Sequence, residues 1–133
     1  MSNPSWKPKE IKQSCIPYVL LPAGEARNFI QFLKDAFGAQ EILVAPRDDG
    51  SVMHAEILID DSSFMLADAT AGMTVYPFRH YIYVPDVDAV YARAIECGAE
   101  SESAPSDQPY GDRLGGVTDK WGNLWWLGTH TAN

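Results

Sequence analysis

The chain repeats one order of strands and helix, and this repeat limits the possible folds more than any other feature of the sequence. The letters FGAQE at Phe37–Glu41 return as CGAES at Cys97–Ser101, 60 positions later, and each copy follows a segment with helical periodicity. Such self-similarity predicts two copies of one supersecondary unit rather than one open sheet. We predict an N-terminal arm at residues 1–13, a first module at 14–72 and a second at 73–133, the two modules forming one structural domain.

The spacing of apolar residues assigns one helix to each module. From Ala23 to Phe37 these residues recur at three- and four-residue steps, which places them on one helical face, and Gly38 follows as a C-terminal stop. In the second module Asp86 is a candidate N-cap for a helix that stops at Gly98.

Alternation of side chains predicts the strands around these helices. In VMHAEILI at Val52–Ile59, Met53 shares one face with the small and aliphatic residues, whereas His54 and Glu56 share the other. RHYIYV at Arg79–Val84 alternates in the same way. Each module is therefore predicted as βαβββ, which gives an α+β fold of two pseudo-symmetric modules with mixed sheets around a cavity.

The segment Asp107–Gly128 supplies the last strand pair and holds three of the four tryptophans. Its final strand also alternates, so that Trp125 packs beneath the helix and Trp126 points to the opposite face. Three closely spaced glycines are interpreted as a tight turn between the strands, since glycine adopts positive φ readily: Gly111, Gly115 and Gly116.

Composition argues against several classes of partner. Ten basic against eighteen acidic residues give a formal net charge of −8, and the clustered Lys and Arg that bind nucleic acid or an anionic membrane surface are absent from the sequence. The N-terminal residues show no apolar signal-peptide core, no apolar run approaches membrane-spanning length, and the two cysteines are isolated. We expect a cytoplasmic protein that binds neither nucleic acid nor membranes.

One helix covers only one face of a four-stranded sheet, so each module has a second face that needs another sheet, another chain or a ligand against it. Aromatic side chains with a few polar groups alternate onto this face, a mixture that is typical of small-molecule pockets. The predicted ligand-binding residues are Tyr18, His54, Glu56, Arg79, Tyr81, Tyr83, Tyr110, Arg113 and Trp126.

These residues also have structural interpretations. The rings can fill the cavity or an interface between chains, which also favours Tyr and Trp. Arg113 can form an ion pair with Asp112 that pins the glycine-rich loop, and His54 with Glu56 can be a hydrogen-bonded pair that lines the cavity. The remaining histidines are assigned to the core and to an exposed position, respectively: His80 and His130.

Nearly the whole chain after Ser14 resembles the vicinal oxygen chelate superfamily, which includes glyoxalase I, bleomycin-resistance proteins and extradiol dioxygenases, and it is most similar to the glyoxalase/bleomycin-resistance, or PhnB-like, branch. One departure is Lys120, where the family usually has proline in a turn. The motifs that carry the resemblance are PY at Pro17–Tyr18, FLKDAFGA at Phe32–Ala39, MHAEI at Met53–Ile57, MLAD at Met65–Asp68, VPDVDAVYARAIECGA at Val84–Ala99 and DQPYGDRLGGVTDKWGNLWWLGTH at Asp107–His130.

The resemblance implies a divalent metal held by His and Glu on the first, fourth, fifth and eighth strands, but this chain lacks those ligands. Tyr18, Arg79 and Trp126 occupy three of the positions, and the fourth falls within Phe64–Asp68, where Asp68 is the candidate ligand. Phenol, guanidinium and indole groups do not replace imidazole and carboxylate around a divalent ion. We therefore predict no metal and no other cofactor, and no catalytic residue is assigned.

Three functions remain open at this point. The chain can be a metal-free protein that binds or sequesters an aromatic or cationic small molecule of unknown identity. It can also be a lyase or dioxygenase of the same superfamily with a relocated metal, although binding is favoured over catalysis. A third alternative is a dimeric interaction module without a ligand.

We predict a homodimer in solution, because each sheet covered by one helix leaves apolar area that monomers rarely expose. Light scattering at micromolar concentration should give twice the chain mass of 14.7 kDa. A mass near that of one chain would contradict the prediction.

Overall fold

A computed structural model describes residues 5–131 and divides the chain into two compact units, Met1–Val75 and Tyr76–Asn133. The helix and strands of the first unit are, in chain order, β1 (Tyr18–Leu21), α1 (Ala26–Phe37), β2 (Gln40–Pro46), β3 (Val52–Ile59) and β4 (Ser62–Asp68). Those of the second unit are β5 (Arg79–Tyr83), α2 (Val87–Glu96), β6 (Glu100–Asp107), β7 (Asp112–Thr118) and β8 (Leu124–His130).

Each unit has one mixed four-stranded sheet. The strand order is β1-β4-β3-β2 in the first and β5-β8-β7-β6 in the second. In both sheets the first and last strands of the unit pair in parallel, and the other pairings are antiparallel. The predicted α+β class and the two βαβββ modules are confirmed. No helix within residues 5–131 is long and apolar enough to cross a membrane.

The first helix buries the face that its spacing predicts. Ala26, Phe29 and Leu33 on α1 are fully buried, and they are three or four residues apart, as one side of a helix requires. The helix ends at Gly38, which has a φ of 68° and donates its N–H to Lys34 O at 3.1 Å. Glycine adopts this left-handed conformation without the penalty that a Cβ brings.

A residue near the end of the last strand holds the start of the helix in each unit. In the first, the buried Asp68 carboxylate accepts from Ala26 N through Oδ1 and from Val52 N through Oδ2, both at 2.8 Å. In the second, Thr129 Oγ1 accepts from Val87 N at 2.9 Å. Helix N-termini have free N–H groups, and these side chains satisfy one of them in each helix.

One predicted strand face is wrong at its first residues. Met53 is 50% exposed, whereas Val52 is fully buried. The pairing between β2 and β3 shifts here, because Ala45 pairs with His54 while Pro46 pairs with Val52. A β-bulge adds one residue to the strand and so reverses which face each side chain takes.

Two glycines that the sequence assigned to a turn lie inside β7. Gly111 does turn the chain, with a φ of 101°, but Gly115 and Gly116 belong to the strand. A Cβ on Gly116 would lie 2.6 Å from Trp126 Cζ3. These positions therefore need glycine for space under a neighbouring side chain rather than for a turn.

We expect Asp68→Asn to lower the free energy of unfolding by about 2 kcal/mol, because the asparagine NH₂ group would face a backbone N–H and leave that buried donor unsatisfied. Urea unfolding measures the change. Asp48→Asn, in an exposed turn, is the matched control and should stay within about 0.5 kcal/mol of the wild type. Equal effects of the two substitutions would contradict this role for Asp68.

Candidate functional site

Tyrosine rings line one end of the open sheet face in the second unit. Tyr81 and Tyr83 alternate onto the same face of β5, and their ring centroids are 5.3 Å apart. Tyr81 lies directly across the ladder from Trp126 on β8. Trp125 takes the opposite side, where it is buried and stacks on His80 with ring centroids 5.3 Å apart, and His80 is thus on the helix side of its strand.

A buried carboxylate joins these rings to the end of β8. Asp112 is only 2% exposed, and its Oδ2 accepts from the hydroxyl of Tyr83 at 2.9 Å and from the hydroxyl of Tyr81. Its Oδ1 is 2.7 Å from His130 Nδ1. Asp112 and His130 are partners in the pairing of β7 with β8, so the strand register places them side by side.

The hydrogen bonds set the protonation of the cluster. Donation from Tyr81, and then from His130, holds the pKa of Asp112 below its usual value against the opposing effect of burial. Although Tyr81 is exposed as a residue, desolvation of its hydroxyl and then its hydrogen bond to Asp112 raise its pKa, and the pKa of Tyr83 is raised chiefly by the same carboxylate. Asp112 is therefore the charged acceptor, and both phenols keep their protons.

These side chains line an open, shallow cavity of about 480 Å³, which is within the volume range of small-molecule pockets. The Tyr81 ring can pack against the backbone of Gly128 because this residue has no side chain: a Cβ there would lie 2.9 Å from Tyr81 Cε1. The lining residues are Tyr81, Tyr83, Tyr110, Asp112 and His130.

The other residues predicted for this unit lie apart from the cavity lining. Arg113 forms ion pairs with Asp88 on α2 at 2.9 Å and with Asp107 at 3.3 Å, rather than with Asp112. Arg79 is exposed at the start of β5 and pairs with Leu124. The structure thus groups three predicted tyrosines with two residues that were not predicted.

Asp112 and His130 were missed for a definable reason. The sequence favours an ion pair of Asp112 with its neighbour Arg113 over a contact with a ligand, and it predicts an exposed position for His130, which the structure shows. The alternation in β8 was the usable signal, because Trp126, Gly128 and His130 fall on one face of the strand. Alternation alone does not predict that Asp112 pairs with His130, because this depends on the register between β7 and β8.

In the first unit, Tyr18, Met65 and Glu56 form a row across three neighbouring strands. The rings of Tyr18 and His54 have centroids 6.1 Å apart. Glu56 is 3% exposed, and its Oε2 has no hydrogen-bond partner among the described residues. Burial, and then the nearby Glu10 carboxylate, raise the pKa of Glu56.

The N-terminal arm is anchored beside this row. Ile11 is fully buried, and Gln13 Nε2 donates to Ser63 O on β4 at 2.5 Å. Glu10, which perturbs the pKa of Glu56, belongs to the same segment. The second half of the arm is therefore held against the sheet by an apolar side chain and an amide, although it forms no helix or strand.

The strand register shows which side chains occupy the metal positions that the resemblance implies. Met65, not Asp68, lies across from Tyr18, and Tyr81, not Arg79, lies across from Trp126. Both Asp68 oxygens accept backbone N–H groups. Phenol, thioether and indole groups do not fit a divalent ion. Among residues 5–131, no three His, Cys, Asp or Glu side chains are grouped so as to hold a metal.

A larger depression of about 900 Å³ lies at the start of α1 in the first unit. Each oxygen of its buried carboxylate, Asp68, already accepts a backbone N–H, and its lining within residues 5–131 contains no aromatic ring. The tyrosine-lined cavity of the second unit is therefore the better candidate for recognition of an organic molecule, because it combines rings with a charged acceptor.

Comparisons with known proteins agree on the family. The model of the Glyoxalase/Bleomycin resistance protein/Dioxygenase superfamily matches residues 15–127. An uncharacterized protein of Mycobacterium bovis is 34% identical over 119 residues, which cover 81% of this chain and 78% of that protein.

Solved structures share the fold at low sequence identity. TioX from Micromonospora sp. ML1 has a TM-score of 0.70 at 23% identity and covers 88% of this chain and 99% of its own. TnmS3, an antibiotic binding protein from Streptomyces sp. CB03234, has a TM-score of 0.67 at 22% identity, with coverages of 91% and 99%. A PhnB protein from Bacillus cereus has a TM-score of 0.71 at 19% identity, with coverages of 88% and 99%.

We expect Glu56→Gln to stabilise the protein at neutral pH by about 1–2 kcal/mol, since glutamine has no charge to desolvate and its amide can donate to Glu10. A carboxyl with a raised folded-state pKa contributes stability that is full below its ordinary pKa of 4.5. That stability is lost as the pH rises through the folded-state value. The advantage of the variant should therefore be small near pH 4 and grow with pH.

Urea unfolding at a series of pH values tests this expectation, with Glu102→Gln on the exposed part of β6 as the matched control. The free energy of unfolding of the control should change with pH in the same way as that of the wild type. If the wild type gained stability relative to Glu56→Gln as the pH rose, the assignment of Glu56 would be wrong.

Proposed function

Because the chain belongs to the Glyoxalase/Bleomycin resistance protein/Dioxygenase superfamily, we propose that it binds or sequesters a small aromatic molecule without a metal. The ligand lies on the tyrosine-lined face of the second unit. The observation that carries this proposal is the cavity in which three tyrosines surround the buried Asp112 carboxylate. Aromatic walls with a small number of fixed polar groups are the usual composition of ligand pockets.

Positioning of the rings supports recognition rather than simple filling of space. The hydroxyls of Tyr81 and Tyr83 are held by one carboxylate, so their rings are ordered before a ligand arrives. Pre-ordered groups lose less conformational freedom on binding, which raises affinity. Tyr83 remains 64% exposed and offers a ring face on which an aromatic group can stack.

The comparisons support a binding role at the level of the family. TnmS3, which shares the fold, is described as an antibiotic binding protein. At the metal positions that the family resemblance implies, Tyr18, Met65, Tyr81 and Trp126 do not have the donor chemistry of metal ligands. Binding without a metal is consistent with the binding role of TnmS3 and with the side chains at these positions. Trp126, which neighbours Tyr81 across the ladder, extends the aromatic surface.

A ligand-free dimeric module is the second candidate, and the exposure of the rings favours it. Tyr81, Tyr83 and Tyr110 are all exposed in the chain, and interfaces between chains also select tyrosine. The two functions are separable, because a ring that serves only an interface should affect assembly and not the binding of a small molecule.

We expect Tyr83→Ala to weaken the binding of 2-naphthamide, a neutral aromatic probe, by about fivefold to tenfold, since it removes a stacking partner. Trp126→Ala should weaken binding by about tenfold or more if its ring also stacks on the probe. Tyr76→Ala removes another exposed tyrosine, at 75% exposure against 64% for Tyr83, which does not line the cavity, and should leave affinity unchanged. NMR titration gives the affinities, and thermal melting gives the folded fraction of each variant.

Lack of 2-naphthamide binding to the wild type at millimolar concentration, together with dissociation of a dimer by Tyr83→Ala, would replace the proposal with the interface function. Mass spectrometry of compounds that remain bound through non-denaturing purification then identifies the natural ligand class. A Trp126→Ala variant that loses stability but retains affinity, corrected for its folded fraction, would remove Trp126 from the site.

A further inference from the structure

The hydroxyl hydrogens of Tyr81 and Tyr83 are already used in hydrogen bonds inside the cavity. Asp112 is ionised and accepts only, so the hydrogens of the Tyr81 and Tyr83 hydroxyls point toward it. A tyrosine hydroxyl has one hydrogen, and each of these two is therefore committed. What the two hydroxyls still offer to a ligand is oxygen lone pairs, which accept hydrogen bonds.

The same reasoning shows which ring nitrogen of His130 carries a hydrogen toward Asp112. A carboxylate that faces His130 Nδ1 at 2.7 Å requires that this nitrogen carry the hydrogen. In the neutral imidazole, Nε2 is then the acceptor. The His130 side chain is 39% exposed, and the ring lines the cavity, so a ligand can reach the imidazole. When His130 is neutral, Asp112 thus orients its Nε2 as a third acceptor.

Tyr110 is the remaining residue of the lining. It is 57% exposed, so its hydroxyl can donate a hydrogen bond to a ligand as well as accept one. The hydroxyls of Tyr81 and Tyr83 therefore present acceptors around one buried negative charge, and the formal charge of the whole chain, −8, adds to the same potential.

We infer that the cavity selects aromatic ligands that carry hydrogen-bond donors on a cationic group, such as an amidinium or ammonium, and discriminates against aromatic carboxylates of the same shape. This inference rests on the proposed function and adds the ligand class. The carboxylate of an anionic ligand would face the Tyr81 and Tyr83 oxygens, which are also acceptors, and the negative charge of Asp112. It would lose its bound water without gaining a hydrogen-bond donor from these two tyrosines. A donor cation would satisfy the free lone pairs with charge-assisted hydrogen bonds.

Two probes of nearly equal shape test the inference, 2-naphthamidinium and 2-naphthoate, with binding followed by NMR through the side-chain signals of the tyrosines and His130. For the wild type we expect the amidinium to bind about tenfold tighter or more. Asp112→Asn removes the central charge and supplies an NH₂ donor, and it should reduce the preference to about twofold or less. Asp107→Asn removes an equal charge from an exposed position outside the cavity lining and should retain the preference.

Tyr83→Phe provides a second measurement that does not depend on the folding of the Asp112 variant. It removes one acceptor oxygen and should weaken the amidinium by about threefold while leaving the naphthoate unchanged. Tyr76→Phe is its control. Equal binding of the two charged probes by the wild type, or an undiminished preference in Asp112→Asn, would overturn the inference.

The outcome for the neutral probe keeps the two proposals distinct. If 2-naphthamide binds at the tyrosines and the charged probes do not differ, the binding function stands and the inference on ligand class fails. If Asp107→Asn lowers the preference as much as Asp112→Asn does, the selectivity comes from the net charge of the chain and the inference fails as well. If none of the three probes perturbs the tyrosine signals, both proposals fail.

Discussion

A four-stranded sheet with one helix has cover for only one of its faces, and the rest of this structure depends on that constraint. Strand alternation sends Trp125 and Leu127 toward the helix side, where both are buried, and sends Trp126 to the other face. The helix face is a conventional apolar core. The tyrosines Tyr81 and Tyr83 and the carboxylate of Asp112 lie on the open face instead, and they form the candidate site of the second unit.

Two buried aspartates in the second unit show how the partners of a carboxylate determine its role. Asp119 accepts from the backbone N–H of Trp121 and Asn123 and from the indole of Trp125 at 2.9 Å. These donors belong to a tight turn and the core, so Asp119 stabilises the fold. Asp112 instead accepts from side chains that line a cavity, so its charge acts on whatever enters that cavity.

Sequence patterns predicted the features that depend on local spacing. The period of α1, the stop at Gly38 and the Asp86 cap, which accepts from Ala89 N at 3.3 Å, follow from residues within a few positions of one another. The bulge at Met53 and the contact of Asp112 with His130 depend on the register between strands. Register is a property of the assembled sheet, because one added residue reverses every face that follows it.

Gly128 shows how the open face and the cavity depend on each other. Because it has no side chain, the ring of Tyr81 can lie against the backbone of β8, with its hydroxyl oxygen 3.1 Å from where a Cβ would be. The same ring placement brings the hydroxyl to Asp112. A larger residue at this position would lift the ring from the strand and withdraw one of the donors that hold the carboxylate. The absence of a side chain at Gly128 is therefore part of the proposed recognition site, since it orients Tyr81 and so determines which Tyr81 atoms face the cavity.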